Sequence, residues 1–300
     1  MRTPKRASGS TSPSPNHRFT GTPITAPPPD GEVLKVFPQP PVGLAVEDVY
    51  GGISFPRGEA SDRRPYVLIN MVASLDGKAT VGGKAGALGS PTDRTLMRSL
   101  RARADAVMIG AGTLRAEKLR LDVPEDLASA RASRGLKPQP LAVLATTSGD
   151  VPLETNLVGS SPDNLLILSS PEAPKERFAS LSSHPLVELV TKETADPAEA
   201  RLDLGRALGV LKERHGVEVL LVEGGPALNH SLVSSGLADE LFLTLAPKVV
   251  GGEGPGGLGV VEGPPLRQNG IASKLVTVHL YEDELFLRYA LRSEDDSVVR

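Results

Sequence analysis

The chain has 300 residues, 39% of them hydrophobic, enough for one large domain or two small ones with a real core. Its formal net charge is −3, with acidic and basic residues mixed beyond the first twenty positions, so no broad cationic surface is laid out for a nucleic acid. Cysteine is absent, which excludes disulfides, thiolate metal sites and thiol nucleophiles, and the five histidines lack paired-ligand spacing, so a metal-free site is expected.

Residues 1–35 are mostly Pro, Ser, Thr and Gly, with too few apolar groups to offset the entropy of ordering, and are expected to form a disordered tail. Arg2, Lys5 and Arg6 read as a targeting signal or as solvated charge on a loose end, the second being favoured. The N-terminus lacks the apolar core of a secretory signal and no run approaches the ~18 apolar residues of a membrane span, so a cytoplasmic protein with no membrane partner is expected. An N-terminal arm, 36–65, leads into the main domain at 66–293, with a short tail at 294–300.

From Tyr66 onward short apolar runs alternate with longer periodic segments. Strands are predicted at 66–74, 104–111, 140–146, 164–169, 217–223 and 240–247, several apolar at nearly every position, as strands covered on both faces must be. Helices are predicted at 91–103, 173–181, 201–214 and 226–235. Ser90 can cap the first of these, Pro91 suits its first position, and Asp93 completes a variant capping box. In that helix Leu96, Leu100 and Ala104 recur for burial, whereas Arg94, Arg98 and Arg101 fall on another face, read first as solvated. The segment 273–293 alternates across an acidic turn near Glu282 and Asp283, a β-hairpin signature. The whole reads as an α/β fold: a mostly parallel central sheet, helices on both faces and an antiparallel C-terminal hairpin.

The stretch "VEVLLVEGGPALNHSLVSSG", 217–236, runs from a buried strand through Glu223, Gly224 and Gly225 into a helix opened by Pro226. The glycines let the backbone turn, and the free amides of the helix start suit an anion such as a pyrophosphate. A plain strand-to-helix turn explains the glycines alone; Glu223 at the strand's carboxyl end favours a ligand's hydroxyl or amine. "GPGGLG", 254–259, has the letters of a dinucleotide fingerprint but opens no helix, so it reads as a loop. "IGAGT", 109–113, permits close backbone approach without proving it. Asp76, in "SLDG", reads as a turn residue or as a catalytic acid.

Ordered blocks between Tyr66 and Gly252, namely "ASLDGK", "SPTDR", "LRARADAVMIGAGTLRAE" and "LVEGGPALNHSLVSSGLADELFLTLAPKVVGG", resemble the reductase domain of bacterial bifunctional riboflavin biosynthesis enzymes, in the dihydrofolate-reductase-like superfamily. The resemblance implies a homodimer that uses NADPH to reduce the ribosylamino group of a pyrimidine phosphate by hydride transfer to C1′. Ala73, Thr113, Glu117 and Thr147 match the family's cofactor-binding positions, as does the segment from Gly225 through Pro226, Ala227, Leu228 and Asn229 to Ser231, which Gly224 leads into. Arg101 and Leu121 match substrate positions, with Arg101 expected to pair with the phosphate, and Glu223 matches an acidic substrate contact. Glu223, Asn70 and Asp76 are the catalytic candidates.

The chain departs from the family's pattern at Asn70, where many members have lysine, at Ala87, where an aromatic is common, and at Pro124, where an arginine is expected. Stand-alone members with dihydrofolate reductase side activity look similar at these positions, so a pterin reductase and a degenerate nucleotide-binding paralogue are the alternative readings. The His/Cys zinc signature of the family's deaminase domain is absent from this sequence.

Overall fold

The computed structural model describes residues 32–38, 40–57, 63–117, 119–152, 157, 163–170, 186–190, 202–252, 257–266 and 270–291. Its elements in chain order are β1 (Glu32–Phe37), β2 (Val42–Ala45), α1 (Val46–Val49), β3 (Tyr66–Ala73), α2 (Pro91–Arg101), β4 (Ala106–Gly110), α3 (Ala111–Ala116), α4 (Glu125–Ser133), β5 (Leu141–Thr146), β6 (Leu165–Ser169), β7 (Leu186–Leu189), α5 (Leu204–His215), β8 (Val219–Val222), α6 (Pro226–Ser234), β9 (Glu240–Leu245), β10 (Ser273–Tyr281) and β11 (Glu284–Leu291).

All the described strands join one sheet in the order β2-β1-β10-β11-β9-β3-β8-β4-β5-β6-β7. From β9 to β7 each neighbouring pair is parallel, and from β9 to β2 each is antiparallel. The expected mixed α/β sheet with its C-terminal hairpin is therefore present. The parallel strands are apolar throughout because both faces are covered. Val67, Ile69, Ala106 and Met108 pack toward Leu208 and Leu211 of α5 and Leu232 of α6. Leu68, Val107 and Ile109 turn the other way, toward Leu96 and Leu100 of α2.

The sheet reaches further back than the expected boundary at residue 66. β1 starts at Glu32, inside the stretch expected to be tail, and pairs with β10, burying Val33 completely. A six-residue strand beside a proline-rich run is a weak local pattern; β1 pairs with the nearby β2 on one side, but it is the distant β10 that seats this pair in the sheet, so tertiary pairing reveals it. The helix expected at 173–181 and the tail at 294–300 lie outside the described residues.

Two local devices fix α2, the helix on which much of the site depends. At its start the Ser90 hydroxyl accepts from the Asp93 amide at 3.0 Å, as the capping pattern predicts. At its end Arg131 of α4, buried, donates through Nη1 to the carbonyls of Arg101 and Ala104 and through Nε to that of Lys137. A guanidinium there satisfies carbonyls that the helix leaves unpaired and opposes the negative end of its dipole. Burial lowers its pKa to about 10, still far above neutrality.

Arg131→Met, which keeps the apolar stem and removes the donors, should destabilise the fold by about 2 kcal/mol or more in urea titration, because buried carbonyls lose their partners. A loss below about 0.5 kcal/mol would contradict this capping role.

Candidate active site

The carboxyl ends of β3, β8, β4 and β5 converge on a cavity of about 1330 Å³, walled on one side by α2 and entered by the start of α6. Ligand sites in open parallel sheets form at this edge because loops and helix starts diverge there. Along α2 the burial pattern splits by face. Leu96 and Leu100 enter the core, while Asp93, Met97 and Arg101, four residues apart, line the cavity.

The Glu223–Gly225 turn is pinned to the neighbouring strand and helix. The Glu223 amide donates to the Met108 carbonyl at 2.9 Å, and the Gly224 carbonyl accepts from the Gly110 amide at 3.1 Å. The Gly225 amide donates to the Thr113 hydroxyl at 2.9 Å. Gly224 has φ 100° and Gly225 φ 22°, backbone conformations that favour glycine, and a Cβ on Gly225 would stand 3.1 Å from Thr113 Oγ1 and press on that side chain. Pro226 opens α6, no side chain caps it, and Ala227 and Leu228 of its first turn line the cavity.

Arg101 and Glu223 meet in a buried bidentate pair. Arg101 Nε donates to Glu223 Oε1 at 2.7 Å and Nη2 to Oε2 at 2.6 Å, with each side chain only 6% exposed. Nη1 donates to the carbonyls of Arg120 and Asp122. Burial works to lower the pKa of Arg101, but the charge and hydrogen bonds of Glu223, with the charge of Asp122, together outweigh it and the net shift is upward, so the cation is held charged. This corrects the first reading of Arg101: it is not a solvated helix-face arginine. Its donors are engaged by Glu223 and the two carbonyls at the wall of the cavity. Glu223 lines the cavity as expected, and a carboxylate holding one arginine keeps lone pairs for a further donor.

The other expected residues divide. Asn70, Thr113, Glu117, Thr147, Gly224, Gly225, Pro226, Ala227 and Leu228 all line the cavity. Glu117 also accepts from the Ala85 amide at 2.6 Å, tying the loop between β3 and α2 to the end of α3. Four residues fall outside the lining: Ala73 is buried at the end of β3, Leu121 is packed in the core, Asn229 is buried, and Asp76 is held in the turn after β3. Asn229 Nδ2 donates to the Val260 carbonyl, and its Oδ1 has no hydrogen-bond partner among the described residues. Asp76 is a turn residue. It accepts from the Ser74 hydroxyl and the amides of Val250 and Gly251, bonds that hold its carboxyl well below the usual carboxylate range, and it does not line the cavity.

Reading motifs alone misses the cavity-facing groups of α2. Arg94 and Arg98 stand exposed at the lip, and Asp93 sits half-buried within. The i, i+4 step back from Arg101 was the available signal. Among the described residues no cluster of three or more His, Asp or Glu side chains is suited to a metal, and no helix is long and apolar enough to cross a membrane.

With this geometry in place, the family model of the RibD C-terminal domain matches residues 65–284. A 2,5-diamino-6-ribosylamino-4(3H)-pyrimidinone 5′-phosphate reductase of Archaeoglobus fulgidus is 35% identical over 191 residues, 63% of this chain and 83% of that protein. The enzyme of the same name from Methanothermobacter thermautotrophicus is 28% identical over 229 residues, 76% of this chain and 99% of its own length. Among solved structures, a pyrimidine reductase-like protein of Corynebacterium diphtheriae shares the fold at TM-score 0.66 and 22% identity, covering 84% of this chain and 100% of that one.

Removing one partner of the buried pair strands the other's charge. Glu223→Ala should cost about 3–5 kcal/mol of folding stability, and the double variant Arg101→Met, Glu223→Leu should recover most of it in urea titration. Additive losses in the double variant would show that the two residues are not coupled.

Proposed function

The chain belongs to the RibD C-terminal domain family, and on that premise we propose that it reduces a ribosylamino-pyrimidine 5′-phosphate to its ribitylamino form with NADPH. The substrate class is the one named for the archaeal relatives. The observation that carries the reading is the side-chain-free turn at Gly224 and Gly225, opening an uncapped α6 into the same cavity as the Arg101–Glu223 pair. A dinucleotide fits these residues. Its pyrophosphate needs close backbone approach and free amides, and the glycine turn with Ala227 and Leu228 offers both. Bound there, a reduced nicotinamide supplies a hydride.

The chain's own residues would do the remaining work. Thr147 and Ser148, lining the cavity after β5, suit the adenosine end, and their hydroxyls favour the 2′-phosphate of NADPH. Asn70 at β3 and Glu223 after β8 flank the position where a sugar would be held, Asn70 with a neutral amide and Glu223 with its remaining lone pairs. The phosphate falls to the lip of α2. There Arg98 lines the cavity, exposed, with no hydrogen bond or ion pair of its side chain among the described residues. A helix start at one end and exposed arginines at the other suit anions at two ends of the cavity, with a weakly charged sugar between them.

Reduced-cofactor absorbance should fall when the protein is given NADPH and the ribosylamino-pyrimidine phosphate. Turnover with dihydrofolate instead would favour the pterin reading, and NADPH binding with neither activity would favour the degenerate paralogue. Arg98→Ala should raise KM for the phosphorylated substrate about tenfold or more, with NADPH affinity unchanged. Gly225→Val should weaken NADPH binding at least tenfold, since the turn cannot hold its shape with a branched side chain. Full affinity in that variant would remove the pyrophosphate from this corner.

A further inference from the structure

The reduction consumes a proton as well as a hydride, and the cavity offers few groups able to give one. No lysine, histidine or tyrosine is among its described lining residues. Its carboxyl groups, apart from Asp93, are committed to cations or amides or lie in solvent. Glu223 holds Arg101, Glu117 accepts from the Ala85 amide, Asp122 is paired with Arg120, Glu262 accepts from the Gly259 amide, and Glu125 is exposed in the first turn of α4.

Asp93 is set apart by its surroundings. It sits in the first turn of α2, lines the cavity, and receives a hydrogen bond from the buried Thr244 hydroxyl of β9. The charges facing it come from every side. Glu284 at the start of β11 and Glu223 after β8 oppose its ionisation, the Tyr50 hydroxyl behind α1 is itself held protonated, and Arg94 on its own helix is the opposing cation. We infer that Asp93 is the proton donor of the reaction, giving its proton to the sugar ring oxygen as the ring opens. This rests on the proposed function.

The step balances as follows. The C1′–O4′ bond breaks, its electron pair stays on O4′, and O4′ takes the Asp93 proton. The lone pair of the exocyclic nitrogen forms the C1′=N bond, leaving an iminium cation. C1′ then accepts the hydride, so the sugar carbon is reduced, the nicotinamide is oxidised and the nitrogen returns to neutrality. Solvent reprotonates Asp93, and one proton is consumed overall. Burial, reinforced by Glu284 and Glu223 against the opposing pull of Thr244 and Arg94, pushes Asp93 up to about 6, a range in which a carboxylic acid still delivers a proton near neutrality. Because the folded value is raised, the acid form predominates below it and is lost as pH rises through it.

The test pairs a readout on the cofactor-free protein with one on turnover. In the cofactor-free protein, the carboxyl carbon signal that disappears in Asp93→Asn should titrate near 6 by NMR with carbon-13-labelled aspartate. Turnover of the wild type should fall as pH rises above that value, and Asp93→Asn should lose about 100-fold or more in kcat, and with it that limb of the profile, while keeping NADPH affinity. Titration of Asp93 below 5, or a variant that retains kcat and the same pH profile, would overturn the assignment. A wild type that binds NADPH but does not turn over the pyrimidine would count against the proposed function instead, and the NMR titration would still decide whether Asp93 holds a proton there.

Discussion

The buried pair of Arg101 and Glu223 is the constraint on which the site depends. It joins the last turn of α2 to the carboxyl end of β8, and through the carbonyls of Arg120 and Asp122 it also holds the loop before α4. A charge pair in such surroundings holds only if its geometry is tight and its remaining donors are satisfied. Both conditions are met here, with Arg131 fixing the carbonyl end of the same helix from the far side. The consequence is positional: the carboxylate stays beside the glycine turn, and the cavity-facing stripe of α2 keeps a fixed angle to the sheet.

That arrangement divides the cavity by charge. On the β4 and β5 side, glycines, small hydroxylated residues and the start of α6 suit an elongated anion. On the α2 side, exposed arginines ring the lip and a half-buried carboxyl lies deeper, close to β9 and β11. Asn70 lies between the two sides with a neutral amide. In the proposed reaction the protein has to bring a hydride donor and a proton donor to adjoining atoms of one sugar, and a cavity with two chemically distinct walls does so by position alone.

Much of the fold was legible because its signals are local. Continuous apolar runs marked the parallel strands, and Ser90, Pro91 and Asp93 marked the start of α2. Gly224, Gly225 and Pro226 marked the strand-to-helix turn for the same reason: a backbone with positive φ leaves glycine in the sequence. What was not legible depends on distant partners. Arg101 and Glu223 are 122 positions apart, and nothing near either residue announces the other, so Arg101 reads as a solvated or phosphate-binding cation until the chain is folded. β1 needs β10 to exist, and Leu121 and Asn229 lie in segments next to the cavity while their own side chains are buried away from it. Asp93 looks like part of a helix cap, and its amide does donate to Ser90; the surroundings of its carboxyl come from Thr244 and Glu284, on strands that join the sheet much later in the chain.

In the proposed complex the cofactor lies across the Glu223–Gly225 turn while the ion pair beside it stays intact. A crystal structure of the protein with NADPH bound tests this. It should show the pyrophosphate within hydrogen-bond distance of the Ala227 and Leu228 amides, the nicotinamide between Asn70 and Glu223, and Arg101 still bound to Glu223. A cofactor lodged away from α6, or an Arg101 that has left Glu223 to hold a phosphate, would contradict it.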